Sequence, residues 1–150
     1  MTRSRLILLV EDNPDDADLT LRAFEESKTL NEIHLASDGE QALDYLFATG
    51  SYLDRDPKIM PDVVLLDLNL PKVDGLGVLQ RMRSDSRTRR LPVVVLTSSN
   101  EETDIIRSYD LGANSFVQKP VDFAQFLNAA QQLGLYWLVL NEPPPVTKRA

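Results

Sequence analysis

The residues best suited to chemistry in this chain are polar groups that directly follow short apolar runs. Glu11-Asp12 follows Leu6 to Val10, and Asp67 follows Val63-Val64-Leu65-Leu66. Thr97-Ser98 closes a third run, and Lys119-Pro120 stands one residue past a fourth, Phe116-Val117. If these runs are neighbouring strands of a parallel sheet, their ends converge on one edge, where such sheets bind ligands. Three carboxylates gathered there repel one another, since like charges about 4 Å apart cost roughly 4 kcal/mol at an effective dielectric near 20. A hard divalent cation offsets that repulsion. Mg²⁺ suits the set Glu11, Asp12 and Asp67, because it accepts a few carboxylates, keeps some waters and can also hold a phosphoryl oxygen. Lys119 adds a mobile positive charge. An aspartate beside a cation and a lysine stays ionised, so Asp67 would be available as a nucleophile that forms an acyl phosphate. Thr97 can donate its hydroxyl to the new phosphoryl oxygens. Such chemistry requires mainly positioning and charge neutralisation.

The elements that must position these groups are readable as alternation. Five apolar segments, Leu6-Val10, Ile33-Ala36, Val63-Leu66, Val93-Leu96 and Phe116-Val117, alternate with stretches of helical period. This predicts repeated βα units and a mostly parallel sheet. The runs in strands 1, 3 and 4 are apolar without alternation, as expected of strands covered on both faces. Asn13 is the expected cap of the first helix, Pro14 suits its first turn, and Asp15-Asp16 complement its dipole. Ala17, Leu21 and Phe24 supply its buried stripe. A second helix from about Asp38 buries Ala42, Leu43, Leu46 and Phe47, and a third follows Asp74-Gly75 with Val78, Leu79 and Met82. Ile105, Ile106 and Tyr109 mark a fourth. Asp122 caps a long fifth, with Phe123, Phe126, Leu127, Ala130, Leu133 and Trp137 at helical spacing. Gly50 to Pro61 reads as a long surface loop. The tail Asn141 to Ala150, with three consecutive prolines, is expected to extend into solvent.

Composition narrows the function classes. A chain of 150 residues with 43% hydrophobic content can build one sizeable core. There is no cysteine, which excludes disulfides, thiolate metal sites and cysteine nucleophiles. The apolar stretch after Arg3 and Arg5 is too short for a signal peptide, and no run is long enough to cross a bilayer, so a cytoplasmic protein is expected. A net charge of -7 argues against sequence-independent nucleic-acid binding, which needs clustered lysine and arginine.

At its polar positions the chain resembles the CheY-like receiver domains of two-component response regulators. The resemblance rests on Glu11-Asp12, Asp67 within Leu66-Asp67-Leu68-Asn69-Leu70-Pro71, Asp74-Gly75, Thr97-Ser98 and Lys119-Pro120, in family order and over roughly residues 5 to 138. It implies a flavodoxin-like (βα)5 doubly wound sheet of strand order 2-1-3-4-5, and a phosphohistidine on a sensor kinase as phosphoryl donor. Asp67 then matches the phosphoacceptor, Asp12 and the Asn69 main-chain carbonyl match metal ligands, and Glu11 matches the acid that holds a metal-bound water. Thr97 and Lys119 match the phosphate-binding pair. Phe116 matches the switch aromatic, expected to turn inward as Thr97 moves, which would alter the face made by helix 4, strand 5 and helix 5. The family fills a receiver domain over residues 1–140, followed by a proline-rich tail over 141–150. The Gly50 to Pro61 loop, the Leu133 to Leu138 extension and the Asn141-Glu142-Pro143-Pro144 tail further resemble single-domain regulators paired with bacterial phytochromes. Nothing after helix 5 reads as an output domain, so output would come from the receiver surface itself.

Each sharp reading has a plainer one beside it. A strand-end aspartate alone is more often a cap or a solvated charge, Phe116 alone is core, and lone His34 is structural. The arginines at 81, 83, 87, 89 and 90 are most simply a solvated face. Tyr136, Trp137 and Leu138 could finish the core or form a homodimer contact. Among rival functions, a phosphatase of the haloacid-dehalogenase type would need Asp-x-Asp after strand 1, where Glu11-Asp12-Asn13 stands. A flavin or nucleotide carrier would find its phosphate repelled by Glu11 to Asp16. An adaptor that merely kept the fold would be expected to lack some of the acidic, threonine or lysine positions.

Overall fold

The computed structural model describes residues 5–26, 31–120 and 122–145; Arg3 and residues 146–150 of the tail lie outside them. Apolar runs without alternation become the inner strands of one parallel sheet. These are β1 (Arg5–Val10), β3 (Val63–Leu66) and β4 (Val93–Thr97), with β2 (Asn31–Ala36) and β5 (Ser115–Gln118) at the edges. The order is β2-β1-β3-β4-β5 and every pairing is parallel, with Val10 opposite Leu66 and Leu66 opposite Val95. The chain is thus α/β with the flavodoxin-like order expected of it. Side chains alternate between two cores, as the pleat requires. Leu8, Val10, Val64, Leu66, Val93 and Val95 pack with residues of α2 (Gly39–Phe47) and α3 (Gly75–Arg83), while Ile7, Leu9, Val63, Leu65 and Val94 pack on the opposite face with Phe24 and Leu138.

Helix starts follow the capping residues. Asn13 accepts from the backbone N–H groups of Asp15 and Asp16 at the head of α1 (Pro14–Glu25). Asp38, Asp74 and Asp122 do the same for α2, α3 and α5 (Phe123–Gly134). The fifth helix is long because it runs on through π-helical turns at Leu135–Leu140. Gly134 lets α5 pack close against α1, since a Cβ there would meet the Phe24 ring at 2.7 Å.

Some expectations about facing need correction. In α4 (Glu102–Asp110), Ile106 and Tyr109 are about half exposed, and Ser108 is the buried residue. Phe123 at the head of α5 also faces outward. The Gly50 to Pro61 loop contains a 3-10 turn at Gly50–Tyr52 and is fixed by Arg55. That guanidinium lies 4.3 Å from the Tyr45 ring centroid and donates to the carbonyls of Tyr45, Leu46, Asp56 and Ile59. His34 is structural within the same cluster, stacked on Tyr45 and hydrogen-bonded to the Tyr52 hydroxyl. Arg83, read as solvated, instead bonds the carbonyls of Gly112, Thr88 and Arg89 and so ties α3 to the chain leaving α4. Arg81 and Arg87 lie over the Phe47 ring.

The packing of α3 also sets the position of the loop after β3. A Cβ on Gly75 would stand 2.2 Å from the Asp67 carbonyl oxygen and 2.6 Å from the Leu68 Cα, both backbone atoms that cannot yield cheaply. Gly75→Ala should therefore lower unfolding stability by about 1–3 kcal/mol despite the better helix propensity of alanine. A lower denaturation midpoint in urea is the expected reading, and an unchanged midpoint would show that the contact relaxes freely.

Candidate functional site at the carboxyl edge of the sheet

Strand order brings the polar strand ends together. Because β1 is flanked by β2 on one side and β3 on the other, the loops leaving β1 and β3 diverge and open a crevice between them. Glu11 and Asp12 stand at one lip and Asp67 at the other, with Thr97 ending β4 and Lys119 one residue past β5. All of these except Asp12 are buried.

Lys119 is the centre of the cluster. Its ammonium donates to Glu11 Oε1 at 2.5 Å, to Asp16 Oδ2 at 2.9 Å and to Asp67 Oδ2 at 3.0 Å. The other Asp67 oxygen accepts from the Thr97 hydroxyl at 2.8 Å and from the Asn69 backbone N–H at 3.2 Å. In this arrangement each of the three Lys119 donors is therefore used by a carboxylate.

Electrostatics separate the two buried acids. Burial pushes the Glu11 carboxyl from its ordinary 4.5 up to about 7, with Asp67's charge adding to the rise and Lys119 opposing it. Asp67 feels the same burial, yet the Lys119 charge outweighs it and, with hydrogen bonds from Lys119, Glu11 and Thr97, holds it below the usual carboxylate range. Lys119 loses to burial but gains more from Glu11, Asp16 and Asp67, so its ammonium is held well above the ordinary lysine range. Asp67 is thus an ionised carboxylate with both oxygens oriented, as a nucleophile needs to be.

The oxygen donors also fit a hard cation. Glu11, Asp12 and Asp67 each offer a carboxylate oxygen, all within 4.8 Å of one another. An all-oxygen set with one exposed member suits Mg²⁺ or Mn²⁺, ions that keep several waters.

Of the residues singled out from sequence, Glu11, Asp12, Asp67, Thr97 and Lys119 are brought together. Asn69 joins them through its backbone. Phe116 stands apart on β5, paired in register with Val95, two residues before Thr97, and packed partly buried against the core. Two further residues belong to the site. Asp16 was read only as a complement to the helix dipole. Ser99, whose N–H reaches the Thr97 hydroxyl at 3.3 Å, bonds Asp104 of α4 through its own hydroxyl at 2.6 Å. A second acid in the first turn after a cap was the available signal for Asp16; Ser99 carried none beyond its closeness to Thr97.

Comparison with known proteins places this geometry. The profile of the response regulator receiver domain matches residues 7–131. A probable methanogenesis regulatory protein, FilR2 of Methanothrix harundinacea, is 41% identical over 93% of this chain and 87% of its own length. Among solved structures, the phosphorylated cyanobacterial phytochrome response regulator RcpA superposes with a TM-score of 0.89 at 38% identity, over 95% of this chain and all (100%) of that one. The Mn²⁺-bound form of Rcp1, the Synechocystis response regulator, gives 0.88 at 35% identity over 94% and 99%. The bacteriophytochrome response regulator AtBRR is 57% identical, with a TM-score of 0.73, over 94% and 100%.

If Glu11 serves a cation, binding should depend on pH. Below about 7 the carboxyl holds a proton that must leave before it can serve a cation. Without metal, the folded chain binds a proton that the unfolded chain has released, so Glu11 lowers stability as pH climbs from 4.5 to about 7. Calorimetric titration with Mg²⁺ should show affinity rising from pH 6 to pH 8, by about tenfold per unit at most for one proton. A flat affinity across that window would contradict the assignment.

Proposed function

The chain belongs to the response regulator receiver domain family of two-component signalling proteins, and on that footing we propose that it accepts a phosphoryl group on Asp67 from a sensor histidine kinase. The observation that carries the proposal is the state of Asp67. It is buried and held ionised, with one oxygen on Thr97 and the other on Lys119. In the step, an Asp67 oxygen attacks phosphorus, the bond from phosphorus to the donor's histidine nitrogen breaks, and the electron pair returns to the imidazole. The product is an aspartyl phosphate. Mg²⁺ held by Glu11, Asp12, Asp67 and the Asn69 carbonyl would neutralise the charge gathered on the phosphoryl oxygens. Lys119 and Thr97 bind those oxygens through an ammonium and a hydroxyl already aimed at Asp67. The chain promotes its own phosphorylation and dephosphorylation as a signalling protein, without turning over a small substrate.

The signal leaves through the α4-β5-α5 face. Thr97 moving toward a phosphoryl oxygen takes its hydroxyl from Ser99, whose own hydroxyl holds Asp104 of α4. Phe116 turns inward behind it. The α4 helix is lightly held, with Ser108 its buried residue. Similarity to RcpA, Rcp1 and AtBRR favours a phytochrome-type kinase as donor. Residues 1–140 make the receiver domain, 141–150 a proline-rich tail, and the setting is cytoplasmic. Among the described residues, no helix is long and apolar enough to cross a membrane. Of the three residues read as core or contact, Leu138 is buried and Trp137 packs against the same core, leaving Tyr136 about half exposed. The chain pairs with itself through Tyr136 and its exposed neighbours Leu135, Val139 and Leu140. Exposed apolar side chains gathered on one helix are the kind of surface that marks a contact.

Incubation with acetyl phosphate or a phosphorylated kinase should label the protein only when Mg²⁺ is present, and Asp67→Asn should abolish labelling. Undiminished labelling of that variant would sink the proposal. Sedimentation velocity should find a dimer that Tyr136→Asp with Leu140→Asp shifts to monomer; a monomeric parent protein would remove the self-pairing.

A further inference from the structure

Asp16 occupies the third position of α1, where an acidic side chain ordinarily turns back to the backbone N–H of the cap residue. That donor is already taken, because the Asn13 N–H bonds Glu11 Oε2 at 3.2 Å. The Asp16 backbone is pinned at the same time: its N–H donates to the Asn13 side chain at 3.1 Å and its carbonyl accepts from the Thr20 hydroxyl at 2.8 Å. Its carboxylate is left to turn inward to Lys119.

An ammonium has three N–H donors, and Glu11, Asp16 and Asp67 receive one each. Asp16 differs from the other two. It is absent from the group of carboxylates placed to share a cation, and its side chain is 27% exposed against 6% for Lys119. A metal ion would relieve Glu11 and Asp67 of much of their mutual repulsion, but Asp16 would keep its claim on the lysine. It also sets a negative charge at the rim, where an anionic phosphoryl donor must enter.

We infer that Asp16 is a positioning residue that holds Lys119 toward α1 and competes with incoming phosphoryl oxygens for its ammonium, so that it sets how readily an anionic donor is taken up. This rests on the reading of Asp67 as phosphoacceptor. Asparagine at the same position keeps an oxygen acceptor of the same shape for Lys119 but removes the competing charge. Glutamate keeps the charge on a longer arm.

The test is the initial rate of phosphoryl incorporation from acetyl phosphate with saturating Mg²⁺, measured for the parent protein, Asp16→Asn, Asp16→Glu and Asp67→Asn at several salt concentrations. Asp16→Asn should lower the half-saturating acetyl phosphate concentration by about threefold or more at low ionic strength, and the difference should shrink as salt screens it. Asp16→Glu should keep the parent value. An unchanged half-saturation in Asp16→Asn, or a change that ignores salt, would overturn the inference while leaving the Asp67 reading intact. Incorporation that persists in Asp67→Asn would overturn both, and the two failures are thereby distinguishable.

Discussion

One buried ammonium holds the carboxyl edge of this sheet together. Taking a lysine out of water is unfavourable unless its charge is paired and its donors are used. Lys119 meets both demands through three carboxylates from two different loops and a helix. The dependence runs the other way as well, because Glu11 and Asp67 are buried close together and would repel without it. Even with Lys119 present, Glu11 retains its proton to about 7, because burial disfavours its charged form and the Asp67 charge adds to that. The placement of α1 is tied to the same nitrogen through Asp16. So the first helix, the first strand, the third strand and the last strand share one electrostatic constraint, and the geometry of the nucleophile follows from it.

Much of this was legible in the chain because strand ends are. An apolar run fixes a buried strand, the residue after it must lie at the sheet's edge, and parallel pairing sends all such residues to one edge. That logic found Glu11, Asp67, Thr97 and Lys119. It also found the helix starts, since Asn13, Asp38, Asp74 and Asp122 declare themselves by type and position. Periodicity was a weaker guide on short helices. In α4, Ile106 and Tyr109 form an apolar row by spacing, yet they are about half exposed, and Ser108 is the buried residue.

What sequence could not show were contacts made by long side chains across loops. Arg83 reads as one more charge in a basic run, but it is partly buried and spends its guanidinium on three carbonyls. Arg55 likewise anchors a segment that has no periodicity of its own. Asp16 was hidden by a sufficient local explanation. An acid in the first turn suits the dipole, and nothing in the spacing says that Glu11 has already taken the cap's N–H.

The Ser108 hydroxyl is buried and, among the described residues, has no hydrogen-bond partner. A polar group stranded in this way makes the closed position of α4 less favourable than a satisfied or apolar residue would. With so little apolar surface tucked under it, the amides of this helix should exchange with solvent well before those of β1 or β3. Responsiveness and durability are therefore set against each other at one side chain. Whatever makes α4 easy to displace also makes it an early point of entry for a protease, and replacing that hydroxyl with an apolar group would give a hardier protein that is slower to respond.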